Sequence, residues 1–320
     1  MGNCLYVVIP CYNEQEVLSE TSKRVKQKFE DLIANKKISS NSKIVFVNDG
    51  SKDTTWDIIC TLHNKDSMFS GINLSHNRGH QNALLAGLML SKDYADMVIS
   101  MDADLQDDIN AIDGMVDKYL EGYDIVYGVR SKRETDTLFK KLTAEGFYKL
   151  MNAMGVETVF NHADYRLLSK RALEALSEFN EVNLFLRGIV PMIGYKSTIV
   201  TYERSERFAG ESKYPLKKMI SFAMEGITSL STKPIKMITG LGFIMFIVSI
   251  CMLIYTLFRF FGGYTVTGWS SLIVSLWAIG GLVLLSIGVV GEYIGKIYLE
   301  TKQRPRYIIE QFLNGEDKNE

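Results

Sequence analysis

Hydrophobic positions in the first part of the chain come in two rhythms. Leu5 to Ile9 and Ile44 to Val47 are short apolar runs that each end in polar residues, and Glu16 to Leu32 between them carries apolar residues at helical spacing. This predicts a strand, an amphipathic helix and a second strand. Ile72 to Leu74, Met97 to Met101 and Ile125 to Tyr127 predict further strands, and Gln81 to Leu90 and Ile109 to Tyr119 predict helices. Such alternation predicts an α/β unit with a mainly parallel sheet flanked by helices. In open sheets of this kind ligands bind beyond the carboxyl ends of the strands, so the residues just after each strand become the candidates.

The pattern changes toward the C-terminus. Ile238 to Phe258 runs about 21 residues without a charge, long enough as a helix to cross roughly 30 Å of hydrocarbon. A second such run extends from Ser270 to Gly291, and the link from Arg259 to Trp269 is short and glycine-rich. The pair predicts a two-helix transmembrane hairpin. Lys217, Lys218, Lys233 and Lys236 precede it and Lys296, Lys302, Arg304 and Arg306 follow it, which puts both ends in the cytosol by the positive-inside rule. Buried helices of a large soluble core would also lack charge, but two consecutive spans with matching basic flanks fit a bilayer better. Between Tyr214 and Leu230, Leu216, Met219, Ile220, Ala223, Met224 and Ile227 lie at helical spacing with Lys217, Lys218 and Glu225 among them, which predicts an interfacial helix. Leu138 to Met154 suits either an interfacial helix or one packed on the soluble core.

Length and charge narrow the class. With 320 residues the chain has room for one sizeable core and a smaller unit. Its 36 basic and 37 acidic side chains nearly cancel, which argues against a nucleic-acid partner, because tracking a phosphate backbone takes a clustered basic excess. Cys4, Cys11, Cys60 and Cys251 match no zinc spacing and suggest no disulfide framework. Met1 to Pro10 has no basic region leading into a long apolar segment, so the front of the chain is expected in the cytosol.

The tips of the predicted strands carry the candidate chemistry. After the first strand come Pro10, Cys11, Tyr12, Asn13 and Glu14, and after the second Asn48, Asp49, Gly50, Ser51, Lys52 and Asp53. Neither is the glycine-rich loop whose backbone amides hold phosphate in dinucleotide or P-loop folds. After the fourth strand come Asp102, Ala103, Asp104, Leu105, Gln106, Asp107 and Asp108. Alternate carboxylates at a strand end suit Mg²⁺ or Mn²⁺ bound to a diphosphate. Taken singly, an aspartate pair is often a helix cap and Asp49 with Gly50 is often a turn. Three acidic tips followed by a membrane hairpin in one chain are a more specific signal.

The motifs Val8-Ile-Pro-Cys-Tyr-Asn-Glu14, Val47-Asn-Asp-Gly-Ser51, Asn77-Arg-Gly-His-Gln-Asn-Ala83, Met101-Asp-Ala-Asp-Leu-Gln-Asp107, Tyr127-Gly-Val-Arg130, Ala163-Asp-Tyr-Arg-Leu167, Arg207-Phe-Ala-Gly-Glu-Ser-Lys-Tyr214 and Gly291-Glu-Tyr-Ile-Gly-Lys-Ile-Tyr298 span nearly the whole chain. In these the sequence resembles family 2 glycosyltransferases, in particular the polyprenyl-phosphate branch of bactoprenol glucosyltransferases and dolichol-phosphate mannose synthases. The resemblance implies a GT-A type nucleotide-sugar-binding domain over residues 1–213, an interfacial segment over 214–236, two transmembrane helices within 237–291 and a cytosolic tail over 292–320. It implies transfer, with inversion, from a nucleotide diphosphate sugar such as UDP-glucose or UDP-N-acetylglucosamine to undecaprenyl phosphate at the inner membrane, by a homo-oligomer. It further implies that Pro10, Tyr12, Glu14 and Asp49 hold the nucleoside, that Asp102, Asp104 and Gln106 bind the divalent ion, and that Arg130, Arg207 and Lys213 meet phosphates.

Asp164 matches the family position proposed as the base. A phosphate monoester, with a second pKa of about 6, is already largely ionised at neutral pH, so Asp164 either takes a proton, orients the acceptor or pairs with Arg166. His80 departs from the pattern, since many relatives carry lysine there. The alternatives are a processive polysaccharide synthase and a non-catalytic nucleotide-sugar-binding protein. The first is disfavoured because Asn183-Leu-Phe-Leu-Arg-Gly188 lacks the tryptophan of a Gln-x-x-Arg-Trp motif, the second because Asp102 and Asp104 are intact.

Overall fold

The computed structural model describes residues 2–131, 154, 162–182, 185–203, 227–229, 231–262 and 268–314. Its chain divides into two compact units, the first built from 1–148, 157–215 and 304–320 and the second from 149–156 and 216–303.

In the first unit, strand β1 (Leu5–Cys11), helix α1 (Leu18–Ala34), β2 (Lys43–Asn48), α2 (Thr55–Lys65), β3 (Phe69–Leu74), α3 (His80–Ser91), β4 (Met97–Ser100), α4 (Ala111–Leu120) and β5 (Ile125–Arg130) follow in order. Then come β6 (His162–Ser169), α5 (Lys170–Ser177), α6 (Leu186–Met192), β7 (Ser197–Tyr202) and, after the second unit, β8 (Ile309–Leu313). The described strands form an eight-stranded sheet in the order β7-β5-β6-β4-β1-β2-β3-β8. Pairs β1–β2, β1–β4, β2–β3 and β5–β7 are parallel, while β6 runs antiparallel to both its neighbours and β8 antiparallel to β3.

The central strands are apolar because helices cover both their faces. Every residue of β1 is buried, and β1, β2, α1 and β4 share a core that includes Leu5, Val7, Phe29, Phe46 and Ile99. Helix α3 lies so close to the sheet that a Cβ on Gly87 would stand 2.3 Å from Val8 Cγ1 and 2.8 Å from Val47 Cγ2, so glycine sets that spacing. The register aligns Cys11 with Asn48 and Asn48 with Asn73, which brings the tips after β1, β2 and β3 to one edge of the sheet.

The predicted strands are all present, and the sequence reading missed α2, α5, α6 and β6 to β8. The segment from 304 does more than trail away, since Lys43 Nζ donates to Asn314 Oδ1 at 3.0 Å and Ser70 Oγ to the Leu313 carbonyl at 2.5 Å.

In the second unit, α7 (Lys233–Phe261) has 29 residues and α8 (Trp269–Lys302) has 34. At 1.5 Å per residue they measure about 44 and 51 Å, both longer than a hydrocarbon core. Among the described residues, Ile279–Lys302 is long and apolar enough to cross a membrane, and Leu284, Ile287 and Ile294 on it are exposed. Tyr293 Oη donates to the Ser231 carbonyl at 2.6 Å and Lys296 Nζ to Ser229 Oγ at 2.7 Å, which ties the foot of α8 to the segment before α7. The predicted helix from Tyr214 to Leu230 and the one from Leu138 to Met154 fall mostly outside the described residues.

Candidate active site

Two loops at the strand ends lock together. The turn after β2 needs Gly50, whose φ of 62° is left-handed and whose added Cβ would meet the Asn77 amide nitrogen at 2.5 Å. Asn13 is also left-handed, with φ 54°. Its amide donates to Ser51 Oγ at 3.0 Å and its Oδ1 accepts from the Lys52 amide at 2.9 Å. The Glu14 amide donates to Thr55 Oγ1 at 3.0 Å, so α2 braces the same loop. Pro10 is buried in β1, and the Tyr12 ring is exposed at the tip.

Asp49 is buried, and each of its oxygens accepts a backbone N–H, from Arg78 at 2.7 Å and from Gly79 at 2.9 Å. Burial raises its pKa, and those two bonds pull the other way. Asp49 thus fastens the loop ahead of α3 to the turn after β2, a structural duty the sequence did not reveal.

Past β4, Asp104 Oδ1 accepts from the Gln106 amide at 3.1 Å. Asp102 stands beside it with a carboxyl pKa pushed up to about 6, first by burial and then by the negative charges of Asp107, Asp164 and Asp104, with His80 opposing. An excess of negative charge at a strand end is what a divalent cation relieves. Among the described residues no cluster of three or more His, Cys, Asp and Glu side chains is arranged to hold a metal. Two carboxylates nevertheless fit Mg²⁺ or Mn²⁺, which is commonly held by one or two carboxylates plus substrate phosphates and water. Gln106 is buried next to them.

Asp164 is the centre of a charged cluster on β6. Its Oδ1 accepts from Arg166 Nη2 at 2.5 Å and from Arg187 Nε at 3.3 Å, and its Oδ2 accepts from Arg187 Nη2 at 3.0 Å. Burial would raise its pKa, but Arg187 and Arg166 outweigh it and hold the carboxyl well below the usual range. His80, the first residue of α3, places Nε2 3.6 Å from Asp102 Oδ1 and 3.9 Å from Asp164 Oδ2, so it stands between the two carboxylates.

Arg130, at the end of β5, donates through Nη2 to Asp107 Oδ1 at 3.4 Å and through Nε to Tyr202 Oη at 3.3 Å, while Tyr202 Oη donates to the same Asp107 oxygen at 2.5 Å. Burial and then Asp107 raise the Tyr202 pKa, which keeps the phenol a donor. The structure thus brings together Asp102, Asp104, Gln106, Arg130 and Asp164, with Pro10 near the end of β1 and Tyr12, Glu14 and Asp49 on the neighbouring loops. Arg207 and Lys213 lie outside the described residues. Arg187 was missed by sequence reasoning, although a lone charge in the apolar stretch Leu184 to Val190 was a visible signal.

Residues 6–177, more than half of the chain, match the model described as Glycosyl transferase family 2. The chain belongs to that family. It is accordingly a family 2 glycosyltransferase with a GT-A-like α/β fold and a mainly parallel sheet. It is 54% identical over 306 residues to the uncharacterized glycosyltransferase YkoT of Bacillus subtilis (strain 168), covering 96% of this chain and 91% of that one. A bactoprenol glucosyl transferase of Shigella phage SfX is 41% identical over 308 residues, covering 95% of this chain and 97% of that one. The crystal structure of mannosyl-3-phosphoglycerate synthase from Rubrobacter xylanophilus superposes with a TM-score of 0.48 at 15% identity, over 70% of this chain and 71% of that one.

Proposed function

We propose that this glycosyltransferase moves a hexose from UDP-glucose or UDP-N-acetylglucosamine to undecaprenyl phosphate, with inversion, giving a polyprenyl-phosphate sugar for cell-envelope glycosylation. The observation that carries the reading is that a cluster of carboxylates and arginines at strand ends belongs to a chain whose α8 exposes apolar side chains over a membrane-spanning length. Relatives named bactoprenol glucosyl transferase, alignable over nearly their whole length, support the lipid acceptor. In this reading α7 and α8 form a two-pass hairpin in the inner membrane of a homo-oligomer. Lys233 and Lys236 in the first turn of α7, Lys302 at the end of α8, and Arg304 and Arg306 just beyond it support cytosolic ends.

In the reaction an oxygen of the lipid phosphate attacks C1 of the sugar while the bond from C1 to the diphosphate oxygen breaks, and the nucleoside diphosphate leaves with the electron pair. Pro10, Tyr12, Glu14 and Asp49 hold the nucleoside. Asp102, Asp104 and Gln106 would hold the divalent ion, which when bound would offset charge developing on the leaving diphosphate. Arg130, steadied by Asp107 and Tyr202, adds a guanidinium at that phosphate. Arg207 and Lys213 receive the lipid phosphate.

Asp164 is best read as a positioning residue. A carboxylate with both oxygens engaged by guanidinium groups is a weak base, and an acceptor phosphate with a second pKa of about 6 needs no deprotonation at neutral pH. The test supplies the detergent-solubilised enzyme with undecaprenyl phosphate and each of several nucleotide sugars and measures nucleoside diphosphate release. Release that needs both substrates and a divalent ion supports the reading, and equal release without the lipid sinks it.

A further inference from the structure

The last described strand, β8, is hydrogen-bonded into the loops that bear Tyr12, Glu14 and Asp49. Glu310 Oε2, on β8, accepts from Asn73 Nδ2 at 3.0 Å. Asn73 Oδ1 accepts from Asn48 Nδ2 at 2.7 Å, and Asn48 Oδ1 accepts from the Ser51 amide at 3.2 Å. Ser51 Oγ in turn accepts from the Asn13 amide at 3.0 Å. The path crosses β8, β3 and β2 and ends in the loop after β1. Backbone bonds follow the same course, with the Ser75 amide donating to the Ile308 carbonyl at 3.0 Å.

The sense of this relay is set at one end. An ionised carboxylate only accepts, so Glu310 obliges Asn73 to turn its NH₂ outward and its oxygen toward Asn48. Asn48, which is buried, then has to donate to Asn73 and keep its own oxygen for the Ser51 amide. Reversing either amide would set NH₂ against NH₂, or leave the Ser51 N–H facing a donor.

We infer that Glu310 and Asn73 are positioning residues of the donor site, and that the strand following the second unit orients the nucleoside loops through this relay. The inference rests on the assignment of those loops to the nucleotide. It gives the C-terminal segment a role that neither the predicted tail nor the core motifs suggest: donor affinity depends on β8 being docked with a hydrogen-bond acceptor at position 310.

The experiment uses the full-length enzyme in detergent and compares Glu310→Gln, Glu310→Lys and Asn73→Ala. UDP binding is measured by calorimetry, with GDP in a parallel arm, and KM and kcat are measured for donor and acceptor. Gln retains an acceptor oxygen, so Glu310→Gln should stay within about twofold of wild type. Lys can only donate, so Glu310→Lys should weaken nucleotide binding and raise donor KM by about three- to tenfold, with kcat, acceptor KM and melting temperature little changed, and Asn73→Ala should raise donor KM likewise while also lowering the melting temperature, because it strips the buried Asn48 NH₂ of its acceptor. Unchanged donor KM in Glu310→Lys, or equal damage from Glu310→Gln, overturns the inference. Tyr12→Ala separates the two levels. If it weakens nucleotide binding while Glu310→Lys does not, the relay alone fails. If wild type binds neither nucleotide, or Tyr12→Ala has no effect, the donor-site assignment fails and the inference with it.

Discussion

Asp164→Ala should destabilise the protein far more than the loss of a surface ion pair. The Asp164 side chain is 13% exposed and that of Arg166 only 2%. Arg166 also donates to the Leu186 carbonyl at 3.3 Å, while its Nε is buried with no partner among the described residues. Removing Asp164 would leave a buried cation with little compensation, a change that costs about 3–5 kcal/mol where an exposed pair is worth at most about 1. Arg187, 33% exposed, can turn to water, so the penalty centres on Arg166. A second substitution supplies an internal check. Arg166→Met in the Asp164→Ala background removes the orphaned charge at similar volume and should recover most of the loss. The effect has a defined pH sense. The two arginines hold the folded-state pKa of Asp164 below its unfolded value of about 3.9, so the stabilisation is complete above that value and is lost as pH falls toward the folded pKa. The gap between wild type and Asp164→Ala is therefore widest near neutrality and narrows in acid. Urea unfolding in detergent, followed by circular dichroism at several pH values, measures it. A loss below about 1 kcal/mol at pH 7, or no recovery in the double variant, would refute the reasoning.

Gly87→Ala should cost about 1–3 kcal/mol, because the new Cβ meets Val8 and Val47, and Val8→Ala should relieve part of it in a thermal melt. Asp104→Asn should abolish turnover that wild type shows with Mg²⁺ or Mn²⁺, and full wild-type turnover in excess chelator would remove the metal role. Because protonation of Asp102 competes with a cation, Mn²⁺ affinity should be level near pH 7 and fall up to about tenfold per unit below its pKa of about 6; an affinity flat from pH 7 to 5 would contradict that. Arg207→Ala and Arg207→Lys should both raise the KM for lipid while sparing donor binding, since an ammonium does not reproduce a bidentate guanidinium. The opposite pattern would move Arg207 to the donor side.

The parts of the fold that sequence reveals are those whose burial is decided locally. Strands β1 to β5 are short apolar runs ending in polar tips, so both their extent and their functional ends are visible. Strand β6 is not, because Asp164 and Arg166 interrupt it. In a strand, residues two apart share a face, and there the two charges neutralise each other. Strand β8 reads Ile-Glu-Gln-Phe-Leu, with too little apolar pattern to announce a partner, and its place is fixed by β3 more than 230 residues earlier. The same distinction runs through the site. Asp102 and Asp104 announce themselves by position, whereas the contact of Arg187 with Asp164 spans 23 residues and the contact of Glu310 with Asn73 spans 237. Asp49 shows the converse. Its motif marks it for the nucleoside, while its structural work, clamping the Arg78 and Gly79 amides, has no trace in the local sequence.

The central claim is that a sugar is transferred to a lipid phosphate, and mass spectrometry of the lipid product addresses it most directly. Full-length enzyme in detergent would be incubated with undecaprenyl phosphate, Mg²⁺ and either UDP-glucose or UDP-N-acetylglucosamine, with Asp104→Asn alongside. The account predicts a lipid whose mass equals the acceptor plus one sugar residue, absent in the variant. Sugar appearing only in water-soluble glycan or as free sugar, with the lipid phosphate unmodified, would contradict it.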